Sequence, residues 1–233
     1  MSFRVKALRT GCPALRVAGR ATVFASFERS CYVETSDGIG CIGAGIGLGP
    51  LNILVEHFVQ LPVGSAVEIF VGASKVWVPA VPGALPVLPK QKIPASIRKP
   101  ASAFLEWIAG KGEPDDSLIG LGSGLTPAGD DFVGGAMIAL RAYGHQALGD
   151  RVAAWALPLA KDRSSRISRA HLECAAEGEG HEALHDLLCT GDEKHLEQLA
   201  GIGHTSGLDA AAGALLALGL VGEARRDAPE TRV

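Results

Sequence analysis

The spacing of apolar residues changes once along this chain, and that change limits the fold more than any other feature. Up to about residue 95 they fall in short runs: Ala14 to Val17, Ala21 to Phe27, Cys31 to Glu34, Ala66 to Val71 and Lys75 to Val78. Turn-forming groups such as Ser36-Asp37-Gly38 separate them, the pattern of short strands. Later the spacing becomes three and four residues, over Ala101 to Ala109, Pro127 to Tyr143, Gln146 to Leu159, Ser165 to Glu177, Glu182 to Leu188, Asp192 to Leu199 and Ser206 to Val221. Strands followed by helices, without alternation, predict an α+β protein. The expected division is an antiparallel β-rich domain over residues 1–95 and an α-helical domain over 96–233. Six prolines between residues 79 and 100 read as an extended connector. The segment 38–49 holds six glycines in twelve residues and suggests a flat strand pair or a wide loop near a ligand. No helix signature follows it, so a dinucleotide-binding fingerprint is poorly supported.

The helical half opens on GLGSGLTPAGDDFVGG, residues 120–135. Alternate glycines (Gly120, Gly122, Gly124) leave backbone N–H groups open to close approach. Thr126 as N-cap and Pro127 at the first helical position predict a helix start. A glycine loop running into a helix N-terminus suits an anion, through free N–H donors and the positive end of the helix dipole. Gly122, Ser123, Gly124, Thr126, Gly129 and Asp130 are therefore candidate substrate-binding residues. Asp131, one residue on, is a candidate for the chemistry. Gly134-Gly135, inside the helix, costs roughly 1 kcal/mol per glycine relative to alanine, which suggests that another backbone or a ligand passes close.

A displacement of 78 positions lays this motif over HTSGLDAAAGALLAL, residues 204–218. Gly129, Asp131 and Gly135 then align with Gly207, Asp209 and Gly213. Each helix would carry a carboxylate in its first turn and a glycine four residues later on the same face. Two such helices can cross tightly with Asp131 and Asp209 at one cleft. His204 before the second helix is a candidate acid or base, and Thr205 and Ser206 are candidate binding residues. Ser206-x-x-Asp209 also fits a capping box. The run Asp162 to Arg169 adds Arg163, Ser165 and Arg166, whose guanidinium forks and hydroxyl suit phosphate or carboxylate oxygens.

Composition excludes several classes. The 233 residues carry a net charge of −3, without a basic patch suited to nucleic acid, and aromatic residues are only 5%, too few for a base-stacking surface. Five cysteines lack metal-ligand spacing and fit a reducing compartment. The N-terminal residues lack a hydrophobic signal core, and the most apolar stretch, Leu208 to Val221, is too short to span a bilayer. A cytoplasmic protein without membrane or nucleic-acid partners is expected.

Together, GLGSGLTPAGDDFVGG, the Ser164 to Ser168 segment SSRIS and GHTSGLD resemble a bacterial family, one branch of which is associated with oxamate carbamoyltransferase of allantoin breakdown. The resemblance extends over most of the chain and is strongest from residue 120 onward. It implies one subunit of a multi-subunit enzyme that exchanges a carbamoyl group between carbamoyl phosphate and oxamate, both small anions. Such a transfer needs an oriented donor and stabilised charge, with little covalent help. On the residues themselves, Asp131, Asp209 and His204 are the catalytic candidates. Two alternatives stay open: an enzyme in which Asp130, Asp131 and Asp209 hold Mg²⁺ against phosphate oxygens, and a non-catalytic stabilising or regulatory subunit. No cofactor and no protein metal site is otherwise expected.

Overall fold

The computed structural model describes residues 2–227 and is α+β. Its contacts divide the chain into two compact units. One runs to Ala80 and includes Glu179–Glu182; the other holds Val81–Gly178 and the chain from Ala183 onward.

The first unit is built on one sheet of eight strands: β1 (Ser2–Lys6), β2 (Arg9–Gly11), β3 (Gly19–Ser26), β4 (Ser30–Glu34), β5 (Ile39–Gly43), β6 (Asn52–Leu54), β7 (Ala66–Phe70) and β8 (Lys75–Trp77). Their order across the sheet is β1-β7-β3-β4-β5-β6-β2-β8. Alternation sets the buried face, since strand side chains point to opposite sides in turn. Ala21 and Val23, Cys31 and Val33, and Val67 and Ile69 all point into one apolar core with Ile42 and Ile53. The sheet is mixed rather than antiparallel throughout: β1 with β7, β2 with β8 and β5 with β6 are parallel.

Two of those parallel pairs are one feature. Strands β1 and β2 are separated only by Ala7 and Leu8, and they pair in succession with β7 and β8. Partners are 64 positions apart in the first stretch and 66 in the second. The extra two residues lie in the Val71–Ser74 turn, closed by the Ser74 N–H donating to the Val71 carbonyl at 2.9 Å. Since β1 and β2 sit toward opposite ends of the strand order, this continuous pair makes the sheet curl on itself.

The third parallel pair explains the glycine-rich segment. Adjacent parallel strands usually need a crossover of about a dozen residues or more. Here β5 returns to β6 through residues 44–51 alone. Gly45 and Gly47 take φ of +64° and +72°, a region side chains disfavour. The group that passes close to Gly47 is the His181 side chain. A Cβ on Gly47 would stand 2.4 Å from His181 Nε2. Leu48 donates its N–H to Glu182 Oε1 at 2.8 Å, and its carbonyl accepts from the Glu182 N–H at 2.8 Å. The expected strand at Ala14 to Val17 is instead a 3₁₀ turn, Pro13–Val17. Ala14 and Val17, both fully buried, share its inner side because residues three apart eclipse in such a turn.

Among the described residues, the second unit holds seven α-helices: α1 (Arg98–Ile108), α2 (Ala128–Ala142), α3 (Gln146–Arg163), α4 (Arg166–Ala176), α5 (Glu182–Thr190, of which Glu182 counts with the first unit), α6 (Lys194–Ala200) and α7 (Ser206–Asp227). They follow the expected helical segments closely. Helix α3 continues past the expected end at Leu159 to Arg163, with the exposed Pro158 inside it. From Phe132 to Leu140 every residue of α2 is buried, so α2 is the unit's central helix, apolar all round. Helices α3, α4 and α7 pack against it.

Candidate functional site

Helices α2 and α7 cross through their glycines. A Cβ on Gly135 would stand 1.9 Å from the Ala210 carbonyl oxygen, and one on Gly213 would stand 1.8 Å from the Phe132 carbonyl oxygen. These two contacts are equivalent under the 78-residue displacement, so the crossing has local two-fold character. The caps match as well. The Asp131 N–H donates to the Pro127 carbonyl at 3.1 Å, and the Asp209 N–H to the Thr205 carbonyl at 2.9 Å. Asp131 and Asp209 are thus each the fourth residue past a cap, on two helices held in backbone contact.

The start of α2 differs by one residue from the expectation, while α7 begins at Ser206 as expected. Pro127, not Thr126, caps α2, with extended backbone and no side-chain cap bond. In α7 the first helical bond, from the Asp209 N–H, goes to the Thr205 carbonyl, so the cap position is Thr205 and Ser206 is not the capping-box residue. The two hydroxyls freed from capping meet each other: Thr126 Oγ1 and Ser206 Oγ are 2.8 Å apart, tying the two helix starts together.

Asp131 lies beside that hydroxyl pair. Burial drives its pKa well above the usual carboxylate range; hydrogen bonds from Ser206 and Thr126 counter this in part, and the charges of Asp209 and Asp130 add to the rise. Asp209, only 5% exposed, is also raised by burial, with the Thr205 hydroxyl pulling it back. The Oδ2 atom of each carboxyl is sealed from solvent and has no hydrogen-bond partner. Both are buried acceptors without donors, and the Asp209 charge is felt at Asp131.

Asp130 is used otherwise. It is 2% exposed, and both its oxygens are occupied: Oδ1 accepts from the Gly120 N–H at 2.7 Å and Oδ2 from the Ser168 hydroxyl at 2.6 Å. It therefore fastens the start of the glycine loop to α4. Ser168 was not singled out by sequence reasoning; its only signal was its place in the hydroxyl-rich SSRIS run. Asp130→Asn should cost about 1–2 kcal/mol, since one acceptor survives while a charge-assisted bond is lost. Urea unfolding monitored by circular dichroism measures this.

The remaining candidates fall into two groups. Gly122, Ser123, Gly124, His204 and Thr205 are exposed, and Thr126 and Ser206 are half-buried. Gly129 is buried against the Leu118 carbonyl, 1.9 Å from where its Cβ would stand, and its N–H already donates to the Leu121 carbonyl at 2.9 Å. Ser165 is the cap of α4: its hydroxyl accepts from the Ser168 N–H at 3.0 Å and donates to the Leu125 carbonyl at 2.5 Å. Arg163 donates to the Asp116 carbonyl, and the exposed Arg166 lies one residue into α4. Arg163 and Ser165 thus frame the loop's backbone, with their polar groups engaged there.

Among the described residues, no three or more His, Cys, Asp or Glu side chains are placed to hold a metal ion. No described helix is long and apolar enough to cross a membrane. Neither curated proteins nor solved structures gave a match. Residues 118–218, which include the glycine loop, both crossing glycines and both carboxylates, match the family model described as oxamate carbamoyltransferase subunit AllH, and the match supports a family that includes that subunit.

Proposed function

We propose that this chain is a subunit of a carbamoyltransferase acting on oxamate and carbamoyl phosphate, and that the crossed starts of α2 and α7 form its substrate site. One observation carries the reading: the family match begins at Leu118 and ends at Leu218, bracketing this crossing. Asp131 and Asp209 are the proposed reacting pair. Joining the oxamate nitrogen to the carbamoyl carbon breaks that carbon's bond to the phosphate oxygen, releases inorganic phosphate and frees a proton from nitrogen. A carboxylate whose pKa is raised by burial is suited to accept that proton. His204, exposed one residue before the α7 cap, is the proposed partner for the phosphate or carboxylate end. Gly122, Ser123, Gly124, Thr126, Thr205 and Ser206 are the proposed binding residues around it. If Mg²⁺ takes part, it would draw on the same two carboxylates together with substrate phosphate oxygens.

The test is turnover by the assembly that co-purifies with this chain, with and without Mg²⁺. Asp131→Asn and Asp209→Asn should each lower kcat by about 100-fold or more while the assembly stays intact, in the range of a lost general base. Undiminished turnover in both variants would make the subunit non-catalytic.

A further inference from the structure

We infer that the Asp131–Asp209 pair recognises the carboxamide –NH₂ of the substrate, so that the amide end lies inward between the helix starts and the anionic end faces out. The inference rests on the substrate site proposed above and adds an orientation and a selectivity to it. A helix start suits an anion through free N–H groups, but here two of the nearby donors are engaged within the protein. The Gly129 N–H goes to Leu121, and the Gly120 N–H goes to Asp130. Two buried groups without a partner are of the opposite kind. Asp209 is 95% buried, and its Oδ2 and that of Asp131 are buried acceptors that no protein donor serves.

An acceptor pair of this kind calls for a ligand that brings N–H groups and no further negative charge to that end. A primary carboxamide brings two N–H donors on one nitrogen, one for each carboxyl. The Thr126 and Ser206 hydroxyls, 2.8 Å apart beside Asp131, are already bonded to each other and to its carboxyl, and they mark where the two helix starts meet. Both hydroxyls are next in sequence to exposed residues, Leu125 and Thr205. The ligand's negative end then lies toward the exposed Gly122–Leu125 and His204–Thr205 segments, away from the carboxylates. This orientation avoids the like-charge repulsion that an inward phosphate or carboxylate would meet.

Matched ligand pairs test the inference by titration calorimetry on the full chain and on its assembly. Oxalate replaces the oxamate –NH₂ by oxygen, and acetyl phosphate replaces that of carbamoyl phosphate by methyl. A site built to pair with N–H groups should reject both by at least about 100-fold in Kd. Asp131→Asn and Asp209→Asn, isosteric changes that keep the buried volume, should each shrink that preference to below about 10-fold, because an amide side chain can serve either analogue. Oxalate binding as tightly as oxamate, or a preference unchanged in both variants, overturns the inference even if turnover stands. An intact preference in an assembly without carbamoyl transfer supports the inference and removes the carbamoyltransferase reading. Binding of none of the four ligands overturns both.

Discussion

Gly135→Ala should be among the most damaging single changes available in this chain, costing about 3 kcal/mol or more. Its new methyl group would meet the Ala210 carbonyl oxygen at 1.9 Å, and that atom belongs to a helix backbone with no rotamer to escape into. Overpacking usually costs about 1–3 kcal/mol when side chains can shift; here two helices must part. Gly213→Ala faces the Phe132 carbonyl in the same way and should cost a similar amount. The double variant should cost clearly less than the two single losses together, because helices already forced apart accommodate the second methyl group. Gly134→Ala is the control. Its added carbon would sit 3.6 Å from the Ala175 Cβ, an ordinary contact, so helix propensity should make it neutral or stabilising by up to about 1 kcal/mol. Chemical unfolding of the four variants settles the point; equal effects at positions 134 and 135 would refute the crossing.

Asp131→Asn should raise stability at neutral pH while stopping turnover. Burial sets the folded pKa of Asp131 above its unfolded value. Below the unfolded value, about 3.9, both states are protonated and this group has no effect. As pH rises past it, the unfolded chain ionises while folded Asp131 resists, so stability falls until the folded pKa is passed. The neutral isostere lacks that loss. Tm of variant and wild type should therefore converge in acid and separate by a few degrees near neutrality, where each kcal/mol is worth about 2–4 °C in a chain of this size. A less stable variant at pH 7, or a gap that does not change with pH, would count against the raised pKa. Activity lost alongside stability gained is the signature of a residue kept for function.

How far the sequence reached depended on whether the partner of a residue leaves a trace in it. The helices were legible because their apolar spacing is local, and the α2–α7 crossing because Gly135 and Gly213 recur in matched contexts. The parallel edges of the sheet were not. Which strand lies beside β1 is decided more than sixty residues away, and alternation reveals a face without naming a neighbour. Asp130 and Asp131 are adjacent and chemically identical, yet one has both oxygens paired and the other is left with an orphan. The difference lies in the Gly120 N–H, a backbone group with no letter of its own, and in Ser168, one hydroxyl among several. The bonds of Arg163 and Ser165 were hidden for the same reason: they go to the backbone carbonyls of Asp116 and Leu125.

The doubled strand pair that curls the sheet also orders events in time. Strands β3 and β4 can meet across three intervening residues, whereas β1 must wait for β7, and β2 for β6 and then β8, before their pairing can form. Closing so long a span costs chain entropy before any contact rewards it. On a ribosome, the first strands made are therefore among the last to be placed. Their apolar residues Phe3 and Val5 stay without a docking surface until the seventh and eighth strands have emerged. During that interval the nascent chain exposes an unpaired edge, the segment where misassociation starts most readily.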